Sequence, residues 1–560
     1  MTASPPAPVL PAPVDGTAPP SGRGTGPGRI LRIELRRSAA LFTGVLVLVA
    51  PLAYLNLLTG PWVHGDERWT AGYTAAAWWQ RELLVFLWPG AVVAGAVQGL
   101  RDRRSGTSEL LATTSRPTWH RAAGLASAFA LTLTTTYLLV FLSGAVQVAA
   151  NSGYPHLGWL PIAVVGALSL VAGGWLGMGI AKALPSRFTP PALGVGTLLC
   201  AMLLSGYVLP DPAPQQVMLL APSLMGPRSA FLTVAWQASA GQALWLLGMA
   251  ATGFLLLVTV GQRAPRAVRI RARLVALAPM ALGAAVALPI LPGDPYDTYI
   301  TDASVTEPVC EGRVCVTRLH ESRLDGFAGP AEEALRLLSR LPGAPTSVRE
   351  SVTPWPPGAP VRREAAVLPV DFEARHLDGA TPEETTRALL AGAGTAPCRD
   401  AYADPVTSEE RDEGLTEAEL ASEETRAVRE LAARTVTAAW FTRELKPLPG
   451  LKYVREEADV LARPAWEALR ALPAAEQRER IVALRDATLA CDADGTERDG
   501  EQDLLKVLTD GAGGAGGPGD AGGPGDAGGP GGAGGAGGPG DAGGPGGGSR
   551  ATDGTSGGAR

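Results

Sequence analysis

Lysine, histidine and cysteine are scarce in this chain of 560 residues, which has 5 histidines and 5 cysteines. The lysines are Lys182, Lys446, Lys452 and Lys506. Because none of them follows a glycine, the sequence excludes the Gly-Lys pair of a phosphate-cradling nucleotide loop. The few histidines argue against a histidine-rich metal site. His320-Glu321 begins like a zinc-hydrolase helix, but Leu324 stands where the second histidine would be, so we expect His320 to lie on the surface.

Other signs of catalysis and of nucleic-acid binding are also missing. Outside the Gly-rich tail, no Gly-x-Ser-x-Gly turn marks a nucleophilic serine. The net charge of −6, without a basic face interleaved with aromatics, argues against a nucleic-acid partner. The long apolar runs carry no Asp, Glu, Lys or Arg at their centres, which counts against a transporter driven by an ion gradient. We therefore predict that the chain is not an enzyme and holds no cofactor or metal of its own.

Long apolar runs are what the first half of the chain does contain. About 18 apolar residues, at a rise of roughly 1.5 Å each, are enough to cross the core of a bilayer. The runs are 41–58, 83–100, 122–150, 160–181, 192–209, 241–261 and 274–292. They predict an α-helical polytopic membrane protein with about seven spans. Gly95 with Gly99, and Gly173 with Gly177, have the four-residue spacing that lets helices approach closely in lipid.

Arginine is unevenly distributed between the segments that connect these runs. Most of the basic residues of these segments fall in 23–40, 101–121 and 262–273, each with five arginines, and 182–191 adds Lys182 and Arg187. The alternate segments, 59–82, 151–159 and 210–240, carry only Arg68, Arg81 and Arg228. Because basic residues stay on the cytoplasmic side, we predict a multi-pass protein of the cell membrane with a cytoplasmic N-terminus. An odd number of spans then makes the C-terminus extracytoplasmic.

Composition divides the chain into four parts. Residues 1–28 are rich in Pro and Gly and are predicted to be a disordered cytoplasmic tail. Residues 29–292 form the membrane part. Residues 293–510 have the composition of a soluble protein and are predicted to be an extracytoplasmic α+β domain. Residues 511–560 are Gly-rich and collagen-like, but they hold too little proline for a triple helix, so we expect a second disordered tail.

Cysteine usage fits an exterior location for residues 293–510. Four of the five cysteines fall there: Cys310, Cys315, Cys398 and Cys491. An even number in an oxidising compartment indicates two disulfides. Cys310 and Cys315 bracket a short turn and could clip a hairpin, and Cys398 with Cys491 would then tie the middle of the domain to its last helix. Other pairings and free thiols stay open.

Periodicity gives the exterior part a mixed secondary structure. The predicted strands are 296–303, 314–319 and 365–372, the last weakened by Pro369. The predicted helices are 330–341, 382–392, 416–445, 464–472 and 474–490. The charged face of the third of these, from Glu423 to Glu430, is expected to be solvated.

A basic loop, RDRRSGTSELLATTSRPTWHR at residues 101–121, joins the second and third apolar runs. Thr107 can cap a short helix, and Glu109 would lie in its first turn, where the helix dipole favours a carboxylate. Leu110 and Leu111 would offer apolar contacts outside the membrane. The loop is either an ordinary connection or a docking helix for a cytoplasmic partner.

Residues 103–117, RRSGTSELLATTSRP, resemble the loop between the second and third spans in permeases of type-2 ABC exporters. In that family a basic amphipathic helix precedes the first span, and short re-entrant helices lie between the fifth and sixth. Residues 29–37 and 210–240 match those positions in character, but the seventh span and the exterior domain depart from the six-span pattern.

The resemblance implies a permease subunit that works as a homodimer or heterodimer in the membrane lipid. A separate ABC ATPase subunit would bind and hydrolyse the ATP and would touch the basic loop. The implied coupling residues are Arg101, Arg103, Arg104, Gly106, Thr107, Glu109, Leu110, Leu111 and Arg116. The alternative hypothesis is a membrane-anchored ligand-binding or sensing protein that acts through its exterior domain. A third hypothesis, an exterior enzyme tethered to the membrane, is the weakest of the three because catalytic motifs are missing.

Overall fold

The structure, a computed structural model, describes most of the chain between residues 40 and 510. The described residues are 40–57, 72–104, 118–150, 153–205, 213–224, 229–259, 266–352, 363–372, 377–398, 417–449, 455–491 and 503–510. The predicted tails 1–28 and 511–560, and the predicted amphipathic helix 29–37, lie outside the described residues.

Helices form at each of the seven apolar runs. In the membrane part the helices are α1 (Ala40–Leu57), α2 (Tyr73–Glu82), α3 (Leu84–Arg104), α4 (Thr118–Ala150), α5 (Leu160–Ala183), α6 (Thr189–Leu204), α7 (Gln215–Met218), α8 (Trp236–Thr259), α9 (Arg266–Ala276) and α10 (Ala278–Ala287). The sequence does not predict α2, because residues 59–82 mix polar and apolar residues without a long apolar run. Only Leu83 separates α2 from α3.

Five helices among the described residues are long and apolar enough to cross a membrane. They are Leu84–Arg101, Trp119–Ala150, Leu160–Ala183, Trp236–Thr259 and Ile270–Ala287. Phe42–Leu57 and Thr189–Leu204 are apolar but shorter. At roughly 1.5 Å per residue, the 16 residues of α6 extend about 24 Å, which is less than the ~30 Å core of a bilayer. The protein is therefore a helical, multi-pass membrane protein, and the count of seven spans stays a prediction.

Glycine brings α3 and α5 into backbone contact. A Cβ atom added at Gly99 would lie 2.5 Å from the carbonyl oxygen of Met178, and Cβ atoms at Gly95 and Gly177 would overlap the carbonyl oxygens of Gly174 and Val92. No side chain larger than hydrogen fits at these positions, which confirms the close approach predicted from the four-residue spacing.

Four connecting segments meet at one end of the bundle. Strand β1 (Leu232–Val234) pairs antiparallel with β2 (Tyr299–Thr301). The Thr233 hydroxyl donates to the carbonyl of Gly158 at 2.9 Å, and Thr74 lies 2.6 Å from a ring nitrogen of His156. We call this the domain-side end, since the soluble part of the chain begins there. The arginine distribution assigns these same segments to one side of the membrane.

A mixed four-stranded sheet forms the centre of the soluble part. Its strands are β3 (Pro308–Glu311), β4 (Val314–Thr317), β5 (Ser347–Glu350) and β6 (Val367–Val370), in that spatial order. β3 and β4 form an antiparallel hairpin that turns at Gly312, whose φ of +60° favours glycine. β5 pairs parallel with β4 and with β6. Pro369 lies in β6, at the edge of the sheet, where a missing N–H is tolerated.

Helices surround this sheet. They are α11 (Ala303–Thr306), α12 (Leu324–Leu338), α13 (Pro382–Leu390), α14 (Glu417–Thr442), α15 (Arg455–Ala471), α16 (Ala474–Leu489) and α17 (Leu504–Asp510). A single apolar core extends from Val314 in β4 to Leu508 in α17. The sequence missed β3, β5 and α17, because short strands and a seven-residue helix give little periodic signal.

The expectation of a fully solvated charged face on α14 is wrong at Glu430. Its side chain is buried, and its carboxylate accepts a hydrogen bond from the backbone N–H of Cys398 at 2.8 Å. Arg429, next to it, forms an ion pair with Asp503. Residues of α14 therefore contact elements on both sides of the helix, which a charge pattern alone does not reveal.

Both disulfides are present in the structure. Cys310 pairs with Cys315 directly across the β3–β4 hairpin, and Cys398 pairs with Cys491 at the end of α16. This is the pairing given above as the first of the alternatives. Cys200, in α6, is free and exposed among the described residues.

Candidate functional site

The predicted coupling loop lies between two long helices. Arg101, Arg103 and Arg104 fall in the last turn of α3, and Thr118 begins α4. Gly106, Thr107, Glu109, Leu110, Leu111 and Arg116 lie outside the described residues. Because α3 starts at the domain-side end and has 21 residues, its last turn lies about 30 Å away, at the opposite end of the bundle.

A buried arginine is the main feature that the sequence did not reveal. Arg81, in the last turn of α2, is 2 % exposed. Its Nε donates to the carbonyl of Pro222 at 2.6 Å, one Nη to the carbonyl of Ile162 at 3.2 Å, and the other Nη to Oε1 of Gln242 at 2.7 Å. All three acceptors are neutral, and no Asp or Glu of the described residues forms an ion pair with Arg81.

The surroundings of Arg81 hold its acceptors in place. The amide nitrogen of Gln242 donates to the carbonyl of Leu219 at 2.9 Å, which fixes its oxygen towards Arg81. The Gln80 amide donates to the carbonyl of Tyr137 at 2.6 Å and ties α2 to α4. Burial lowers the pKa of the Arg81 guanidinium to about 10, so it stays protonated at neutral pH. The bundle therefore contains a fixed positive charge.

Three hydrogen-bond donors near Arg81 have no partner within the part of the chain that the structure describes. They are the indole N–H of Trp78, the hydroxyl of Ser223 and the hydroxyl of Tyr137. Their side chains are 8 %, 5 % and 1 % exposed. Trp78 lies one helical turn before Arg81, and Ser223 follows the Pro222 whose carbonyl accepts from Arg81. The Tyr137 hydroxyl lies against Gly166, one helical turn after the Ile162 whose carbonyl also accepts from Arg81.

Apolar and aromatic side chains enclose this group, which we call the Arg81 cluster (Trp78, Arg81, Tyr137, Ser223 and Gln242). Trp78 packs against Tyr299, with ring centroids 5.4 Å apart. Leu219, Leu224 and Ile162 belong to the same buried apolar cluster as Trp78. Tyr137 reaches its position because Gly166 leaves room for it, since a Cβ there would overlap the tyrosine hydroxyl. The arrangement can stabilise negative charge in a water-poor environment.

His320 contradicts the expectation of a surface histidine, because its side chain is only 15 % exposed. Its Nδ1 lies 2.5 Å from Oε1 of Glu350, and Oε2 of the same carboxylate accepts from the backbone N–H of Thr317 at 2.6 Å. The ring also packs against Phe372 and against Phe231, which immediately precedes β1 of the bundle. His320 therefore lies where the soluble part meets the membrane part.

Metal binding finds no support in the described residues, where no group of three or more His, Cys, Asp or Glu side chains could hold an ion. Comparison of the chain with protein-family models, with curated proteins and with solved structures finds no significant match. The function therefore has to be inferred from the residues themselves. They place a buried cation near one end of a helical bundle and the arginines of the last turn of α3 at the other end.

Proposed function

We propose that this chain is the membrane-spanning permease subunit of an ABC transporter. It moves a substrate across the cell membrane with ATP that a separate ATPase subunit hydrolyses, and it works as a homodimer or heterodimer. The observation that carries the proposal is the Gly-Thr-Ser-Glu-Leu-Leu segment, residues 106–111, between the ends of α3 and α4. Its resemblance to the coupling loop of type-2 ABC exporters assigns it the contact with the ATPase.

The packing of α3 supports a mechanical role for this loop. α3 continues from the loop into backbone contact with α5, through Gly95, Gly99 and Gly177. Helices packed this tightly move together, because the interface has no slack to absorb a displacement. A push on the loop is thereby transmitted to α5, whose first turn holds the Ile162 carbonyl bonded to Arg81. ATP binding by the partner would draw two permease subunits together and displace these helices.

Two substitutions in the loop test this proposal, one that reverses a charge and one that places a charge at an apolar position. Glu109→Arg and Leu110→Asp are expected to abolish recovery of an ATPase subunit with the tagged chain purified from its native membranes. The matched control is Glu479→Arg, a charge reversal at an exposed position of α16. The readouts are ATP hydrolysis in the eluate and identification of the co-purified subunit by mass spectrometry. Recovery of the ATPase with both loop variants at wild-type levels would overturn the proposal.

A binding or sensing protein is the second candidate, and one observation favours it. The soluble part is joined to the bundle by more than a linker: β2 pairs with β1, and the backbone N–H of Asp302 donates to the carbonyl of Phe231 at 2.8 Å. A firm connection of this kind could relay ligand binding in the soluble part to the helices. Absence of any ATPase from the wild-type eluate, under conditions that keep the membrane complex intact, would favour this function.

A further inference from the structure

We propose that the Arg81 cluster binds the acidic group of an amphiphilic anion, a molecule with one anionic head and an apolar body. This inference rests on the proposed function in one respect: it names the substrate class of the permease. The binding itself is a property of this chain alone.

The positive charge of Arg81 has no counter-anion among the described residues. A guanidinium has five N–H donors in a planar fork, which suits carboxylate and phosphate groups. Three of the donors bond to neutral oxygens, from Pro222, Ile162 and Gln242. A buried cation without a counter-anion is costly, because the low dielectric gives it neither water nor an opposite charge. An anion beside Arg81 would supply the missing charge.

Several buried hydrogen-bond donors beside Arg81 lack an acceptor in the described part of the chain. Buried polar atoms are nearly always hydrogen-bonded. Yet the Trp78 N–H, the Ser223 hydroxyl and the Tyr137 hydroxyl, all more than nine-tenths buried and all neighbours of Arg81, lack acceptors in the described part of the chain. Donors on α2, on α4 and on the segment before β1 thus surround one cation. The Gln80 Oε1 beside them is also buried and unpartnered, but it is a neutral acceptor. What this group lacks is an acceptor that carries negative charge.

Apolar side chains next to these donors favour an apolar body for the ligand. Next to the donors the cluster presents Trp78, Tyr299, Leu219 and Leu224, and the nearest surfaces are aromatic and aliphatic. These side chains are only 5–9 % exposed, so the body of the ligand would insert between them. An apolar chain would preserve their apolar contacts, whereas a small hydrated anion alone would not. Both a membrane lipid and a soluble amphiphile have this chemistry.

The test uses decyl phosphate and the full-length chain, purified without any ATPase, in nanodiscs of dioleoylphosphatidylcholine. Calorimetric titration is expected to show saturable binding to the wild-type protein. Arg81→Gln, Trp78→Phe and Tyr137→Phe should each weaken the affinity about tenfold or more, because each removes a donor to a charged acceptor. Trp88→Phe is the matched control: its indole N–H is also buried and unpartnered, but Trp88 lies in a different apolar cluster. It should leave the affinity unchanged.

Two readouts protect the test from misfolding. Tyr137→Phe and Trp78→Phe remove donors that have no partner, so their thermal midpoints without decyl phosphate should not fall. Equal affinity in these variants, in wild type and in Trp88→Phe, or no saturable binding to wild type, would overturn the proposal. Because no ATPase is present, this result is independent of the co-purification experiment.

A second arm separates the two sources of the anion. In nanodiscs with 10 mol% dioleoylphosphatidic acid, competition that raises the apparent dissociation constant of decyl phosphate about tenfold or more identifies a membrane lipid as the occupant. Unchanged binding identifies a smaller soluble amphiphile. Each result supports the anion site, provided that Arg81→Gln weakens binding in the nanodiscs without phosphatidic acid.

Discussion

Single buried polar residues hold together both the proposed site and the contact between the soluble part and the membrane part. Arg81 and Glu350 are each more than nine-tenths buried, and each bonds to backbone groups of another element. Such groups are costly to leave unpaired, so removal of one partner affects stability more than removal of an exposed ion pair does. Substitutions at these buried residues are therefore expected to lower stability more than substitutions at exposed charged residues.

Glu350→Ala should destabilise the soluble part by about 2–4 kcal/mol, because it leaves the Thr317 N–H without an acceptor and His320 without its carboxylate. Glu333→Ala is the matched control. It breaks an ion pair with Arg336 that is largely exposed on both sides, so it should change stability by less than about 1 kcal/mol. Thermal unfolding of the full chain measures both. Equal effects would contradict the role assigned to the buried carboxylate.

Helix packing at the element scale depends on glycines that the sequence did reveal. The four-residue spacing of Gly95, Gly99, Gly173 and Gly177 is visible without a structure, and the α3–α5 contact follows from it. The partner of each glycine is not visible, because spacing along one helix carries no information about the register of its neighbour. Gly174 is one such partner that the spacing did not mark.

Gly177→Ala should destabilise the bundle by about 2–4 kcal/mol, because its methyl group would overlap the backbone of α3 and overpacking forces the helices apart. Gly124→Ala, in α4, is the control, since nothing lies within 4 Å of a Cβ atom there. It should be neutral or slightly stabilising through helix propensity. Unfolding of the purified variants in the same nanodiscs measures the difference, and equal stability of both variants would contradict the packing described.

The two disulfides should differ in their effect on stability. Cys398–Cys491 spans 93 residues and Cys310–Cys315 spans 5. Since a longer closed loop restricts the unfolded chain more, loss of the first should cost about 4–5 kcal/mol and loss of the second about 2 kcal/mol. Paired Cys→Ser variants of each bond, compared by thermal unfolding, check this order. A larger loss from the hairpin bond would contradict it.

The whole molecule could be predicted in its coarse plan but not at its site. Apolar runs and composition gave the membrane helices and the soluble α+β part, since both signals are local in sequence. The sequence places Arg81 among the few basic residues of the outer segments. It does not predict that Arg81 is buried, because the burial depends on Pro222, Ile162 and Gln242, which are distant in the chain. The run Trp78-Trp79-Gln80-Arg81 is one indication in the sequence, because an arginine next to large apolar residues in a helix favours a buried guanidinium with hydrogen-bond acceptors around it.

His320 failed as a prediction for the same reason. A lone histidine has no sequence pattern, and its contacts with Phe231, Glu350 and Phe372 come from three separate segments. Residues whose contacts come from distant segments are therefore the ones whose burial the sequence predicts least well.

Accessibility of single cysteines in intact cells tests the central claim, that the loop between α3 and α4 faces the ATP supply. In a Cys200→Ser background that keeps both disulfides, Ser108→Cys and Glu479→Cys are treated with a membrane-impermeant maleimide. We expect that Glu479→Cys reacts in intact cells and that Ser108→Cys reacts only after the cells are permeabilised. Labelling of Ser108→Cys in intact cells, with protection of Glu479→Cys, would contradict it.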